Sequence, residues 1–125
     1  MLGTLAQVAI GGALGAMARF GTQSLSFRLF GPGFPVGTMV VNGLGSFLIG
    51  LAAAWLIDRE IARYSPAIVV GFLGAYTTFS TYALDALRLW ERGEVALASF
   101  YVLGSVVLSL GACVAGLALG RSLFT

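Results

Sequence analysis

Histidine and lysine are absent from this 125-residue chain, and it contains a single cysteine, Cys113. Without histidine there is neither an imidazole base nor a histidine-ligated metal. One cysteine cannot form a disulfide within the chain, and we expect a buried structural thiol. Residues 11–15 are rich in glycine but lack the preceding strand that a nucleotide-binding fingerprint requires. We therefore predict that the protein is not an enzyme.

Charged residues are scarce and occur in clusters. Seven arginines and five acidic residues make up 10% of the chain, whereas 58% of the residues are apolar. The segments between the clusters can each hold a helix of about 20 residues, enough to cross a bilayer core of about 30 Å. They predict an all-α membrane protein with one domain, residues 1–125, and four transmembrane helices near 3–21, 36–57, 66–89 and 95–119. The net charge of +2 is too small and too scattered to suggest nucleic acid as a partner.

The arginines give almost no signal for orientation in the membrane. The predicted spans place three of them on each side, namely Arg59, Arg63 and Arg121 against Arg28, Arg88 and Arg92. Arg19, near the end of the first span, adds at most one to the second side. Membrane proteins normally carry an excess of positive charge in their cytoplasmic loops. Two interpretations stay open. Either one residue or the local lipid decides a single orientation, or the chain inserts both ways and pairs with its inverted copy.

A polar side chain, Asn42, lies inside the second predicted span. An amide without partners is costly in hydrocarbon, so the side chain needs hydrogen bonds. It either bonds to a neighbouring helix or lines a wet cavity. Taken alone, the residue favours the first.

The third predicted span is unusually polar near its middle, where Gly74 is followed by Thr77, Thr78, Ser80 and Thr81. Hydroxyl side chains compete for backbone hydrogen bonds and can open a helix. Non-helical backbone at membrane depth must be buried in protein or line a water-filled path. This density predicts a broken third helix, whose freed carbonyl oxygens would suit a hard cation such as Na⁺. The alternative is an intact helix whose hydroxyls bond to their own turn.

Small residues recur four positions apart in the predicted spans: Gly11 and Gly15, Ser46 and Gly50, Ser105 and Ser109, and Gly116 and Gly120. In lipid, apolar burial does not drive helices together, so small residues and buried hydroxyls hold them in close contact. Most of the glycines are therefore expected to be packing residues.

Three blocks of sequence stand out together: residues 11–20 (GGALGAMARF), residues 37–47 (GTMVVNGLGSF), and residues 71–74 (GFLG) with 77–81 (TTFST). Their order and spacing resemble the CrcB/Fluc family of small bacterial fluoride channels over essentially the whole chain. The resemblance implies a fluoride-selective, passive channel in the cell membrane. Such a channel lets F⁻ leave the cytoplasm and lowers cellular fluoride and its toxicity.

The resemblance also implies an antiparallel, dual-topology homodimer with two pores and a structural Na⁺ at its centre. Matched onto this chain, the sodium ligands are the backbone carbonyls of Gly74 and Thr77, two from each protomer. The balanced arginine count agrees with such an assembly.

The same resemblance implies a set of pore residues: Asn42, Phe79, Tyr82, Tyr101, Ser105 and Ser109, with Thr38 as a further hydroxyl donor. Arg19 matches an arginine near a pore vestibule, and Asp85 matches an acidic position one turn beyond the aromatic pair. Tyr82 departs from the family pattern because it replaces a second phenylalanine; its phenol keeps the ring edge and adds a donor.

Fluoride is small and holds its water tightly, so a pore must replace that water with other donors. The amide of Asn42 supplies N–H groups and the serine and threonine hydroxyls supply O–H groups. The ring of Phe79 offers its positive edge.

Two other classes of protein fit a small four-helix membrane chain. A proton-coupled multidrug exporter needs a carboxylate deep in its first span, and this first span has no acidic residue. A structural membrane subunit would use its polar residues only for helix contacts, and the dense block of hydroxyls argues against it.

Overall fold

The computed structural model describes residues 1–57 and 59–125, and no strand occurs within them. The helices are α1 (Leu2–Phe30), α2 (Val36–Trp55), α3 (Arg59–Ala62), a π-helix (Pro66–Leu73), α4 (Gly74–Tyr76), α5 (Phe79–Glu91) and α6 (Val95–Phe124). The predicted all-α class is confirmed.

By length and composition, three helical segments could cross a membrane: Val36–Trp55, Pro66–Glu91 and Val95–Phe124. Helix α1, which was predicted as the first of four spans, is not among them. Its sequence includes Gln7, Arg19 and Gln23, which lower its hydropathy. On this criterion the described residues give three spans rather than four.

The helix boundaries differ from those predicted. Helix α1 continues to Phe30, well beyond the predicted end near residue 21, because polar side chains do not end a helix and no breaker occurs before Gly31. Gly31 then adopts a φ of 75°, a conformation that favours glycine, and opens the predicted loop over residues 31–35. Helix α2 ends at Trp55 instead of residue 57, and α6 continues to Phe124 instead of residue 119.

Glycines let α2 and α6 pack backbone to backbone. A Cβ at Gly116 would overlap the carbonyl oxygen of Phe47, and one at Gly50 would overlap that of Cys113. A Cβ at Gly120 would lie 2.6 Å from the Cβ of Ala54. This close contact is what the small-residue pattern predicted for these two helices.

Helix α1 contacts the π-helix in the same way. A Cβ at Gly11 would overlap the carbonyl oxygen of Ala67, and a Cβ at Gly15 would overlap that of Phe72. On the opposite side of the contact, a Cβ at Gly71 would lie 2.9 Å from the carbonyl oxygen of Val8. The π-helix is therefore held against α1 just before the polar block begins.

The third predicted span, 66–89, is not one continuous helix. Its break lies at Thr77 and Thr78, whose backbones are extended, with φ and ψ of −81° and 160° at Thr77 and −152° and 121° at Thr78. The hydroxyl of Thr78 accepts a hydrogen bond of 3.2 Å from the backbone N–H of Thr81 and so caps the start of α5. The break thus has a local cause in the sequence.

Candidate functional site

A cavity of about 420 Å³ lies beside the interruption between α4 and α5, and we call it the break cavity. Seven of the residues singled out in the sequence line it: Asn42, Gly74, Thr77, Phe79, Tyr82, Ser105 and Ser109. The remaining lining residues come from α2, the π-helix, the break and α6, and include Gly45, Ser46, Leu73 and Thr78. Residues up to 67 positions apart in the sequence are therefore brought to one place.

Asn42 holds the broken backbone through two hydrogen bonds to a single residue. Its Nδ2 donates to the carbonyl oxygen of Thr78 at 2.9 Å, and its Oδ1 accepts from the backbone N–H of Thr78 at 2.7 Å. Only one orientation of the amide satisfies both bonds. Asn42 therefore bonds to the broken third span, which is the first of the two alternatives raised by the sequence, and it also lines the break cavity. One N–H of its Nδ2 remains outside this pair of bonds.

This pairing changes the hydrogen bonds available to the carbonyl groups of Gly74 and Thr77. In a continuous helix these carbonyls would accept from the N–H groups four residues later. Here the N–H of Thr78 donates to Asn42, and the N–H of Thr81 donates to the hydroxyl of Thr78. The carbonyl of Gly74 therefore does not accept from the N–H of Thr78, and the carbonyl of Thr77 does not accept from the N–H of Thr81.

The groups at the break that could bind a metal ion are neutral oxygens. Within the described residues there is no group of three or more Cys, Asp or Glu that could hold a metal. Backbone carbonyls without helical donors fit a hard cation such as Na⁺ better than a transition metal. Gly74 and Thr77 are among the residues at this break whose carbonyls could be offered to such an ion.

Ser105 places an unused hydroxyl at the break cavity. The residue is only 5% exposed, and its Oγ has no hydrogen-bond partner among the described residues. Serine in a helix commonly bonds back to the carbonyl four residues earlier, and this one does not. Ser109, one turn later, lines the same cavity and is half-buried. The break cavity is therefore lined by a buried hydroxyl that is free to donate a hydrogen bond to a ligand.

Aromatic rings extend from the break cavity into the protein. The rings of Phe79 and Tyr82 have centroids 5.5 Å apart, and those of Tyr82 and Tyr101 lie 5.3 Å apart. Phe79 is 80% exposed, whereas Tyr101 is completely buried. The hydroxyl of Tyr82 donates to the carbonyl oxygen of Val102 at 2.8 Å. The extra donor expected from this phenol is therefore used within the protein.

Thr38 and Tyr101, which were also predicted to face the ion, do not line the break cavity. Their hydroxyls both donate to Oδ2 of Asp85, at 2.7 Å from Thr38 Oγ1 and 3.2 Å from the Tyr101 oxygen. A second cavity of about 380 Å³ lies beside this group, and we call it the Asp85 cavity. Its lining residues include Gln23, Thr38, Thr81, Asp85 and Arg88.

The first turns of α5 separate the two cavities. Phe79 and Tyr82 lie on the face toward the break cavity. Thr81, Asp85 and Arg88, spaced three and four residues apart, lie on the face toward the Asp85 cavity. The predicted pore residues therefore fall into two groups on either side of one helix.

Two polar residues of α1, Arg19 and Gln23, differ in their relation to the two cavities. Arg19 is half-buried in α1 and is not among the residues that line either cavity. Gln23 was not singled out, although its Nε2 donates to Thr38 Oγ1 at 3.3 Å. The signal that could have found it is the polar run in the second half of α1, where Thr22, Gln23 and Ser24 follow one another.

Comparison with known proteins finds one family, whose members match this chain along almost its whole length. A family model described as "CrcB-like protein, Camphor Resistance (CrcB)" matches residues 6–117. The chain is 55% identical over 121 residues to "Fluoride-specific ion channel FluC" of Paracoccus denitrificans, with 97% of each chain covered. A protein of the same name from Cereibacter sphaeroides is 53% identical over 121 residues, with 97% of each chain covered. Another from Agrobacterium fabrum is 49% identical over 122 residues, covering 96% of this chain and 98% of that one.

Proposed function

Since this chain belongs to the CrcB-like family, we propose that it is a fluoride-selective channel through which F⁻ leaves the cell passively. The observation that carries the proposal is the identity of 55% with a fluoride-specific channel along 97% of the chain. The break cavity adds independent support, because its polar groups are neutral donors and it contains no charged side chain. The protein is thus a channel and not an enzyme.

The donors around the break cavity have the chemistry that a dehydrated halide needs. The hydroxyl of Ser105 has no partner among the described residues, and Asn42 keeps one N–H beyond its two bonds to Thr78. Together with Ser109 they offer neutral O–H and N–H groups in place of water. The ring edges of Phe79 and Tyr82 add weak positive charge. None of these contacts is an ion pair, so the anion can enter and also leave.

An antiparallel homodimer would complete the pathway. Phe79 is 80% exposed beside the break cavity, a position that a second copy could cover. In this proposal α1 is the fourth span, and the nearly equal numbers of arginine on the two sides allow the chain to insert in both orientations. Each dimer would contain two pores, lined by Asn42, Phe79, Tyr82, Ser105 and Ser109, with Arg19 near a vestibule.

The carbonyl oxygens of Gly74 and Thr77 would hold a Na⁺ at the centre of that dimer. Both lie at the break, where the N–H groups that a helix would give them bond elsewhere. Two carbonyls from each protomer would surround the ion with four oxygens. A bound cation adds a positive field near the path of the anion without lying in it.

The direction of transport follows from the membrane potential. We place the protein in the cell membrane, where a negative interior drives an anion outward through a passive pore. Fluoride that enters as HF and ionises in the cytoplasm would leave by this route, which lowers its concentration in the cell.

Efflux from liposomes tests the proposal. Purified protein is reconstituted into vesicles loaded with KF or with KCl, and the anion released after addition of a potassium ionophore is measured with an electrode. Fast release of fluoride with little release of chloride is expected. Drug-dependent proton flux would instead indicate an exporter, and the absence of any transport would indicate a structural subunit; either result contradicts the proposal.

A further inference from the structure

The hydrogen bonds around Asp85 have a fixed direction. A carboxylate oxygen accepts, so the hydroxyls of Thr38 and Tyr101 must both donate to Oδ2. Each hydroxyl carries a single hydrogen. Neither Thr38 nor Tyr101 therefore has a second hydrogen to offer to an anion in the Asp85 cavity while these bonds are formed.

Gln23 is oriented by the same network. The hydrogen of the Thr38 hydroxyl is given to Asp85, so Thr38 Oγ1 can only accept from Nε2 of Gln23, 3.3 Å away. This bond fixes which end of the Gln23 amide is the donor. An amide nitrogen has two N–H groups, and the recorded bond uses one. Since Gln23 lines the Asp85 cavity, its second N–H is available there.

Packing holds Gln23 at this position. Gly37 directly precedes Thr38, and a Cβ there would lie 3.0 Å from the Cα of Gln23 and 3.3 Å from its Cγ. The missing side chain at Gly37 therefore lets α1 approach α2 closely enough for the Gln23 amide to reach Thr38. The contact defines the position of the amide before any ligand binds.

An exposed cationic side chain lies at the edge of the Asp85 cavity, where it balances the charge of Asp85. Arg88 lines the Asp85 cavity, is exposed, and forms no ion pair among the described residues. Asp85 opposes it, but the hydroxyls of Thr38 and Tyr101 already bond to its Oδ2. A small anion drawn in by Arg88 then meets Gln23 as a neutral donor.

We propose that the side-chain amide of Gln23 is a fluoride-contacting donor in the Asp85 cavity, separate from the donors of the break cavity. This inference rests on the proposed channel function. It assigns to Gln23 the donor role that the sequence analysis gave to the hydroxyl of Thr38, which bonds to Asp85 instead.

The first test compares two identical substitutions on one helix. Gln23→Met keeps the length of the side chain and removes both N–H groups, and we expect it to slow fluoride efflux about tenfold, the effect of losing one hydrogen bond to a charged group. Gln7→Met makes the same change in α1 outside the residues that line either cavity, and wild-type efflux is expected. If Gln23→Met fails to fold, Gln23→Leu removes the N–H groups without adding a charge, and slow efflux is again expected. Gln23→Glu keeps the shape but adds a negative charge, so only unchanged efflux of that variant is informative, and it would contradict the inference.

A double-mutant cycle separates a direct contact from an effect through Thr38. In a Thr38→Val background, the hydroxyl that Gln23 bonds to is gone. A direct donor would still lose about tenfold on Gln23→Met, because its contact with a charged ligand does not depend on Thr38. If Gln23→Met has no further effect in that background, Gln23 acts only through Thr38 and the inference is wrong.

The outcomes also separate this inference from the channel function itself. A wild-type protein that releases no fluoride contradicts the proposed function. A wild-type protein that conducts, with Gln23→Met and Gln23→Glu both conducting equally well, contradicts only the role of Gln23.

Discussion

Asn42 and Thr78 form a closed pair in which one side-chain amide bonds to both polar groups of one main-chain residue, at 2.9 Å and 2.7 Å. The pair joins α2 to the break before α5 across 36 positions of sequence. It supplies the hydrogen bonds that the backbone loses by leaving the helix, and it places the amide at the wall of the break cavity. Structure and proposed conduction therefore depend on the same side chain.

Asn42→Ala should lower both stability and flux. The substitution leaves the N–H and the carbonyl of Thr78 without these partners, and each buried unsatisfied group costs about 1–3 kcal/mol. Thermal unfolding in detergent measures the first effect and fluoride efflux from liposomes the second. Ser46→Ala, one helical turn later in α2, also alters the lining of the break cavity and is the control for stability. Equal unfolding temperatures for the two variants would contradict the structural role of Asn42.

Ser105→Ala should reduce fluoride efflux while leaving stability unchanged. The Ser105 hydroxyl is buried without a partner among the described residues, so its removal breaks no bond within the protein. It does remove a donor from the break cavity, and efflux is expected to fall about tenfold. Ser122→Ala provides a matched change near the exposed end of α6 and should behave as wild type. Loss of stability without loss of flux would be the opposite of what we expect.

Phe79→Ile should slow fluoride efflux and leave the proposed dimer intact. The ring is 80% exposed in the single chain, so it contributes little to the core, but it lines the break cavity and offers a positive edge to an anion. Phe20→Ile, on α1, changes a ring that is 74% exposed and does not line that cavity. Efflux is measured on the dimer fraction from size-exclusion chromatography. Equal efflux for the two variants would remove Phe79 from the pathway.

Gly116→Ala should destabilise the contact between α2 and α6. Its Cβ would meet the carbonyl oxygen of Phe47, and such overpacking typically costs about 1–3 kcal/mol. Gly111→Ala, on the same helix, meets nothing within 4 Å and should be neutral or stabilising, because alanine favours helix by up to about 1 kcal/mol over glycine. The unfolding temperatures of the two variants in detergent give the comparison. A lower unfolding temperature for Gly111→Ala than for Gly116→Ala would contradict the close contact between Gly116 and Phe47.

The chain should insert into the membrane in both orientations. Six of its seven arginines are divided three against three between the two sides of a four-span arrangement, and Arg19 adds at most one to one side, so the charge bias is close to zero. Tags at each terminus, probed with an impermeant label in intact cells, should each be reached in only part of the molecules. Complete protection or complete labelling of one terminus would establish a single orientation instead. Adding two lysines after Gly93 would then be a useful control, since it should impose one orientation.

The sequence located the break because its cause is local. Threonine and serine compete for backbone hydrogen bonds within a turn or two, and the structure places the extended residues at Thr77 and Thr78, inside the predicted polar block. The glycine contacts between α2 and α6 were accessible for a similar reason. Helical periodicity alone puts Gly116 and Gly120 on one face.

Hydrogen-bond partners between helices could not be read from the sequence in this way. Thr38 and Tyr101 have the same donor groups whether they face an anion or Asp85, and only the packing of α2, α5 and α6 directs them to Asp85. The length of α1 was missed because the spans were placed in the apolar segments between charged clusters, whereas the helix continues through Arg19 and Arg28 and ends before Gly31. Gln23 lies in the part of α1 beyond the predicted end of the span, and it was missed for the same reason.

The two members of the Asn42–Thr78 pair should tolerate substitution very differently. Asn42 bonds to the main chain of residue 78, which every amino acid except proline provides complete with its N–H. The side chain at 78 caps α5 and lies 3.4 Å from Ser80 Oγ, contacts that Ser, Asp or Asn could also make, so these residues could replace threonine there. At position 42 no other side chain of the same length offers both a donor and an acceptor. Natural variants of this channel should therefore differ at position 78 while keeping asparagine at position 42.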